Sequence, residues 1–123
     1  MLESNKSILI YSFEEEEIIK INSIFKSLSL PEAIVVEKSM TEMLVSDLVR
    51  GIKLDKFNVE VPVVKLVLFN NLTEEELNNA VVDIRKKFTE KPIMAVVTPT
   101  SEKWTFKFLI GHLIEENKWA KKR

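Results

Sequence analysis

Residues 66–77 read Leu66-Val67-Leu68-Phe69-Asn70-Asn71-Leu72-Thr73-Glu74-Glu75-Glu76-Leu77. An apolar run gives way to two asparagines. A threonine then precedes a glutamate by three positions. The run suits a strand covered on both faces, and Thr73-x-x-Glu76 is the capping box that opens a helix. The helix extends through Glu74 to Phe88, where Leu77, Ala80, Val81, Ile84 and Phe88 fall on one stripe. A second apolar run, Ile93-Met94-Ala95-Val96-Val97, follows. Strand, helix and strand in this order make a β-α-β unit.

The same grammar stands upstream. Ile8-Leu9-Ile10-Tyr11 precedes a helical pattern over Glu14 to Leu28, with Ile18, Ile21, Phe25 and Leu28 on one stripe. Ser12-x-x-Glu15 reads as its capping box. Ala33-Ile34-Val35-Val36 is the next strand, and Ser39-x-x-Glu42 opens a helix over Met40 to Val49 that ends at Gly51. A last helix is expected from about Glu102 to Lys118 or beyond. The order is therefore β-α-β-α, twice. Ile8–Tyr11 aligns with Leu66–Phe69, Ala33–Val36 with Met94–Val97, and Leu48-Val49 with Leu109-Ile110. We expect one α/β domain over residues 1–123, with halves at about 7–51 and 63–119. Residues 52–62 join them; Phe57, Val59 and Val61 alternate there as in an extended edge, with Pro62 at its end. Four strands would form a mostly parallel sheet in the order 2-1-3-4. A two-fold relation between the halves would make the central pair antiparallel and the sheet mixed.

Composition bounds the function. The chain has 123 residues, no cysteine, one histidine, and 18 basic against 19 acidic residues. Disulfides, thiol nucleophiles and Cys-ligated zinc are excluded. The balanced charge gives no field that would steer the chain to nucleic acid or an anionic membrane. No apolar run approaches the ~20 residues of a membrane span, and Met1–Lys6 holds no signal-peptide core. A cytoplasmic protein without cofactor or metal is expected. The acidic runs Glu14–Glu17 and Glu74–Glu76 sit where helix N-termini favour negative charge, and neighbouring carboxylates splay around a helix rather than converge on an ion.

The C-terminal half resembles a bacterial family of uncharacterised domains of unknown function. The residues that carry the resemblance are Leu66–Phe69, Thr73–Leu77 and Pro92–Thr98, with Trp104, Leu109, Leu113 and Glu116 after them. It implies a domain boundary and no activity. The whole chain is faintly similar to a response-regulator receiver. However, Ser12-Phe13 stand where an acidic pair would hold magnesium, Asn70-Asn71 replace the acceptor aspartate, and the fifth strand is missing. Phosphotransfer of that kind is not expected.

Two groups of residues remain as functional candidates. In the last helix, Phe106, Leu109, Ile110 and Leu113 share one face, which packs on the sheet. Trp104, Phe108, His112 and Trp119 fall on another side. A helix covering a sheet needs no second apolar face. These four residues suit a homodimer or protein-partner contact, with Gly111 allowing close approach. The competing reading packs Trp104 on the Thr98–Thr100 loop and Phe108 under a neighbouring element. A lone histidine without a nucleophile or orienting acid is not a catalytic signature. The second group, Ser12, Asn70, Thr98 and Thr100, gathers at the strands' carboxyl ends if the sheet is parallel, where a small anionic ligand would bind. With only Gly51 and Gly111 in the chain, a glycine-rich phosphate cradle is lacking. A non-catalytic interaction module is the leading expectation, and a small-ligand sensor the alternative.

Overall fold

The computed structural model describes residues 6–37, 40–52 and 64–121, with backbone alone for 117–121. The expected capping role of Ser39 and the edge segment at 52–62 therefore fall outside the described residues, save Ile52.

Four strands form one sheet: β1 (Ser7–Tyr11), β2 (Ile34–Val36), β3 (Leu66–Asn70) and β4 (Ile93–Val96). Their order is β2-β1-β3-β4. β1 pairs with β2, and β3 with β4, in parallel, while the central pair β1–β3 is antiparallel. The sheet is thus mixed, as a two-fold relation between halves requires. In the central ladder Leu9 faces Leu68 and Ser7 faces Asn70. A pseudo-two-fold axis between Leu9 and Leu68 therefore superposes Ser7–Tyr11 on Leu66–Asn70. The sequence match of Ile8–Tyr11 to Leu66–Phe69 is one residue out of step. The second strand match holds, because Leu9 pairs with Ile34 and its equivalent Leu68 with Ala95.

Strand alternation sends side chains to two cores. Ile8, Ile10, Val67 and Phe69 face α1 (Glu15–Ser27) and α3 (Glu74–Lys87), which bury Ile21, Ile24, Phe25, Ala80 and Ile84 against them. Leu9, Tyr11, Leu66 and Leu68 face the other way, towards α2 (Val45–Leu48) and α4 (Phe106–Lys121). There Val45, Leu48, Phe106, Leu109 and Ile110 are buried, and the Tyr11 and Phe106 rings meet edge to face at 5.6 Å. Both strand faces are covered, which explains the continuous apolar runs.

The repeats also share their joints. Ser12 and Asn71, equivalent residues after β1 and β3, both take left-handed backbone, with φ of 72° and 67°. Asparagine tolerates that region well; serine does so less readily. Thr73 caps α3 as expected: its hydroxyl accepts from the Glu76 N–H at 3.1 Å, and Glu76 accepts from the Thr73 N–H at 2.9 Å. At α1 the expected Ser12 box is not formed. The left-handed turn at Ser12 delays the helix, so Glu14 is the N-cap and donates its N–H to Glu17 at 2.8 Å.

Two helices differ from expectation. The helix placed over Met40–Val49 is only the single turn α2, because Leu44 forms an antiparallel bridge with Thr105. Gly51 does end it. With φ +83°, its N–H donates to Leu48 and that of Ile52 to Asp47, satisfying the last carbonyls. The last helix begins at Phe106 rather than Glu102. A short 3-10 turn at Ser101–Lys103 precedes it, and Trp104 is extended, with ψ 157°.

Candidate functional site

The same Leu44–Thr105 bridge sets the geometry of α4. The Val45 N–H donates to the Trp104 carbonyl and the Phe106 N–H to the Met43 carbonyl, each at 2.8 Å; Lys107 donates its N–H to Thr41 at 2.7 Å. Thr105 then caps the helix, its hydroxyl accepting from the Phe108 N–H at 3.2 Å. These bonds fix the rotation of α4 about its axis. Phe106, Leu109 and Ile110 point into the core, and Phe108 points away, 57% exposed.

Three of the four aromatic-face residues come together on that outer side. The half-buried Trp104 packs against the α2/α4 core and meets Phe108 edge to face at 4.8 Å and His112 at 5.1 Å. His112 Nε2 lies 3.1 Å from a carboxylate oxygen of Glu116. Trp104 therefore bridges core and surface, and Phe108 is not tucked beneath another described element. Trp119 lies in α4, where side chains are not described.

Beside the aromatics runs an open groove of about 540 Å³, lined by Glu42, Thr105, Lys107, Phe108, Gly111, His112 and Glu115. Gly111 is exposed, and a Cβ built on it would meet none of the described residues within 4 Å. Lys107 lies 3.8 Å from Glu42 at the groove's margin. Glu42, Lys107 and Glu115 were not among the sequence candidates. For Lys107 and Glu115 the signal was their spacing around Gly111 on one helix; Glu42 comes from the segment before α2, and no spacing in the sequence points to it.

The second group of candidates is not brought together. Because β1 and β3 run in opposite directions, Ser12 follows β1 at one edge of the sheet. Asn70 ends β3 at the other, beside Thr98 and Thr100 after β4. Asn70 donates to the Ser7 hydroxyl at 3.2 Å. Thr98 is occupied locally: its hydroxyl accepts from the Ser101 N–H at 3.0 Å, and its own N–H donates to the Ser101 hydroxyl at 2.9 Å. Thr100 is exposed at the start of the 3-10 turn.

A larger concavity of about 880 Å³ opens at the Ser12 edge, with Lys65, Arg85 and Glu90 on its wall. Lys65 there binds Glu17 at 2.5 Å and Glu90 at 3.3 Å. The equivalent lysine of the first repeat, Lys6, binds Glu76 at 2.6 Å. Each repeat thus sends a lysine to the other's helix. The hydrogen bond from Lys65 holds the Glu17 carboxyl below its ordinary range, and that from Lys6 does the same to Glu76. Glu17 in turn pushes Lys65 up. With two carboxylates already on Lys65, that lysine is not an unopposed cation for an anionic ligand. Both sites of ion pairing were missed from sequence, although Lys6/Lys65 and Glu17/Glu76 occupy matching places in the repeats.

Residues 65–120 match the family model of a domain of unknown function, DUF3783. The match starts at the β3 edge and ends in α4, so it covers the second repeat and the candidate face but not the first repeat. None of the curated proteins and none of the solved structures compared with the chain matches it. Among the described residues, no helix is long and apolar enough to cross a membrane.

Proposed function

We propose that this chain is a non-catalytic docking module of the cytoplasm, and that the outer face of α4 receives a protein partner. One observation carries the reading: Phe108 is 57% exposed while its neighbours Phe106, Leu109 and Ile110 are buried. The helix already has a full core-facing stripe, so its fold does not require a second aromatic cluster. Covering a phenylalanine side chain is worth roughly 1.5–3 kcal/mol, and aromatic residues at a desolvated centre dominate interface energies. Trp104 supports the reading because it packs against the core on one side and meets the Phe108 ring in a T-shaped contact on the other. A rigid aromatic loses little conformational freedom on docking.

Phe108→Glu tests it. In dilute, monomeric samples the variant should unfold at the wild-type denaturant midpoint, and at higher concentration it should not associate. A fall in stability of several kcal/mol, the size expected for a core phenylalanine, would assign Phe108 to the fold and end the proposal.

A further inference from the structure

We infer that the occupant of this face is a second copy of the chain, docked with the two α4 helices antiparallel and crossing at Gly111. The inference rests on the docking reading above and adds the partner and its orientation.

Glycine in a helix interior is unfavourable relative to alanine. At Gly111 no packing among the described residues explains it: the position is exposed, and a Cβ there would touch none of them within 4 Å. A close approach from outside does explain it, since a missing side chain lets a second helix come near the backbone. The groove beside Phe108 passes over this position.

The charges choose the occupant. Lys107, which lies 3.8 Å from Glu42 of its own chain, and Glu115 both line the groove and stand four residues to either side of Gly111. Each is about 6 Å along the helix axis from it. An antiparallel crossing at Gly111 sets Lys107 of one copy against Glu115 of the second, and two-fold symmetry makes that pairing twice. A parallel pairing would set like against like. The same crossing brings Phe108 to the flank that carries His112 of the second copy. A net charge of −1 leaves little long-range repulsion between copies.

Sedimentation equilibrium and native mass spectrometry of charge-swapped chains test the arrangement. Lys107→Glu alone and Glu115→Lys alone each place like charges across the crossing. Each should raise the dimer dissociation constant at least about tenfold. An equimolar mixture of the two should form a heterodimer within about threefold of wild-type affinity, because both crossings are again complementary. Gly111→Leu should keep the fold and lose the dimer. A mixture no better than either single variant, with wild type still dimeric and Phe108→Glu still monomeric, would overturn the antiparallel crossing while leaving the docking face standing. A wild-type chain that stays monomeric at the highest attainable concentration would overturn the second copy as occupant. Loss of stability in Phe108→Glu relative to the wild-type chain, both measured as dilute monomers, would remove the docking reading itself.

Discussion

The first and second repeats diverge most where α2 and α4 should match. Val45, Leu48 and Val49 correspond to Phe106, Leu109 and Ile110. Val45, Leu48 and all three α4 residues are buried in the same core, and Val49 packs partly buried against it. After that common turn the first repeat stops at Gly51, whereas the second continues to Lys121. The start of this helix carries its fully buried residues, and Leu113 and Ile114 beyond it pack partly buried on the same core. The added turns carry Gly111, His112 and Glu115, which with Phe108 make the groove. Shared positions and the inner flank of the extension hold the sheet; the outer flank of the extension is left to meet something else.

The largest test of that division sets Phe106 against Phe108. They stand two residues apart on one helix, one with 0% and one with 57% exposure. Phe106→Ala should cost about 3–5 kcal/mol by chemical denaturation of the monomer, and Phe108→Ala less than about 0.5 kcal/mol. Similar losses at both would erase the distinction between a core face and a free face.

A smaller contrast lies between the two glycines. Gly51 needs its left-handed φ of +83°, so Gly51→Ala should destabilise by about 1 kcal/mol or more. Gly111 sits in ordinary helix with open space at its Cβ, and Gly111→Ala should stabilise the monomer by about 0.5–1 kcal/mol. Thermal unfolding of dilute samples reads both signs. Destabilisation by Gly111→Ala would mean that the chain's own packing needs that glycine.

The reciprocal ion pairs give the mildest effect, and it depends on pH. Glu17 and Glu76 have lowered pKa values in the fold, so their contribution is complete above the ordinary glutamate range, about 4.3. It fades as pH falls through the lowered values. Lys65 is raised, so its contribution is present below the ordinary lysine value and is lost only as pH rises past the raised one. Stability should therefore drop on acidification below about pH 4–5. Replacing both Lys6 and Lys65 with methionine should flatten that limb. An acid limb as steep as wild type would show that these pairs do not link the repeats.

Much of the fold was legible because each repeat states it twice. Continuous apolar runs gave all four strands, and the Thr73–Glu76 box placed the start of α3 to the residue. The failures have local causes. Serine motifs look alike whether a turn or a cap follows, and the left-handed Ser12 moved the α1 cap to Glu14. Leu44 and Thr105 are distant in sequence, so periodicity ran both adjoining helices straight through their bridge. Helical spacing was enough to gather Trp104, Phe108 and His112. The Ser12, Asn70, Thr98 and Thr100 group depended on strand direction, which the pattern left open, and the antiparallel centre divided it between two edges.

Amide NMR shifts over a dilution series test the central claim most directly, since they locate contact residue by residue. Concentration-dependent shifts should cluster at Thr105–Glu116 and at the Trp104 indole N–H, with α1 and α3 unchanged. Shifts confined to α1, α3 or the β4 edge, or none at any concentration, would contradict a docking face for a second copy on α4.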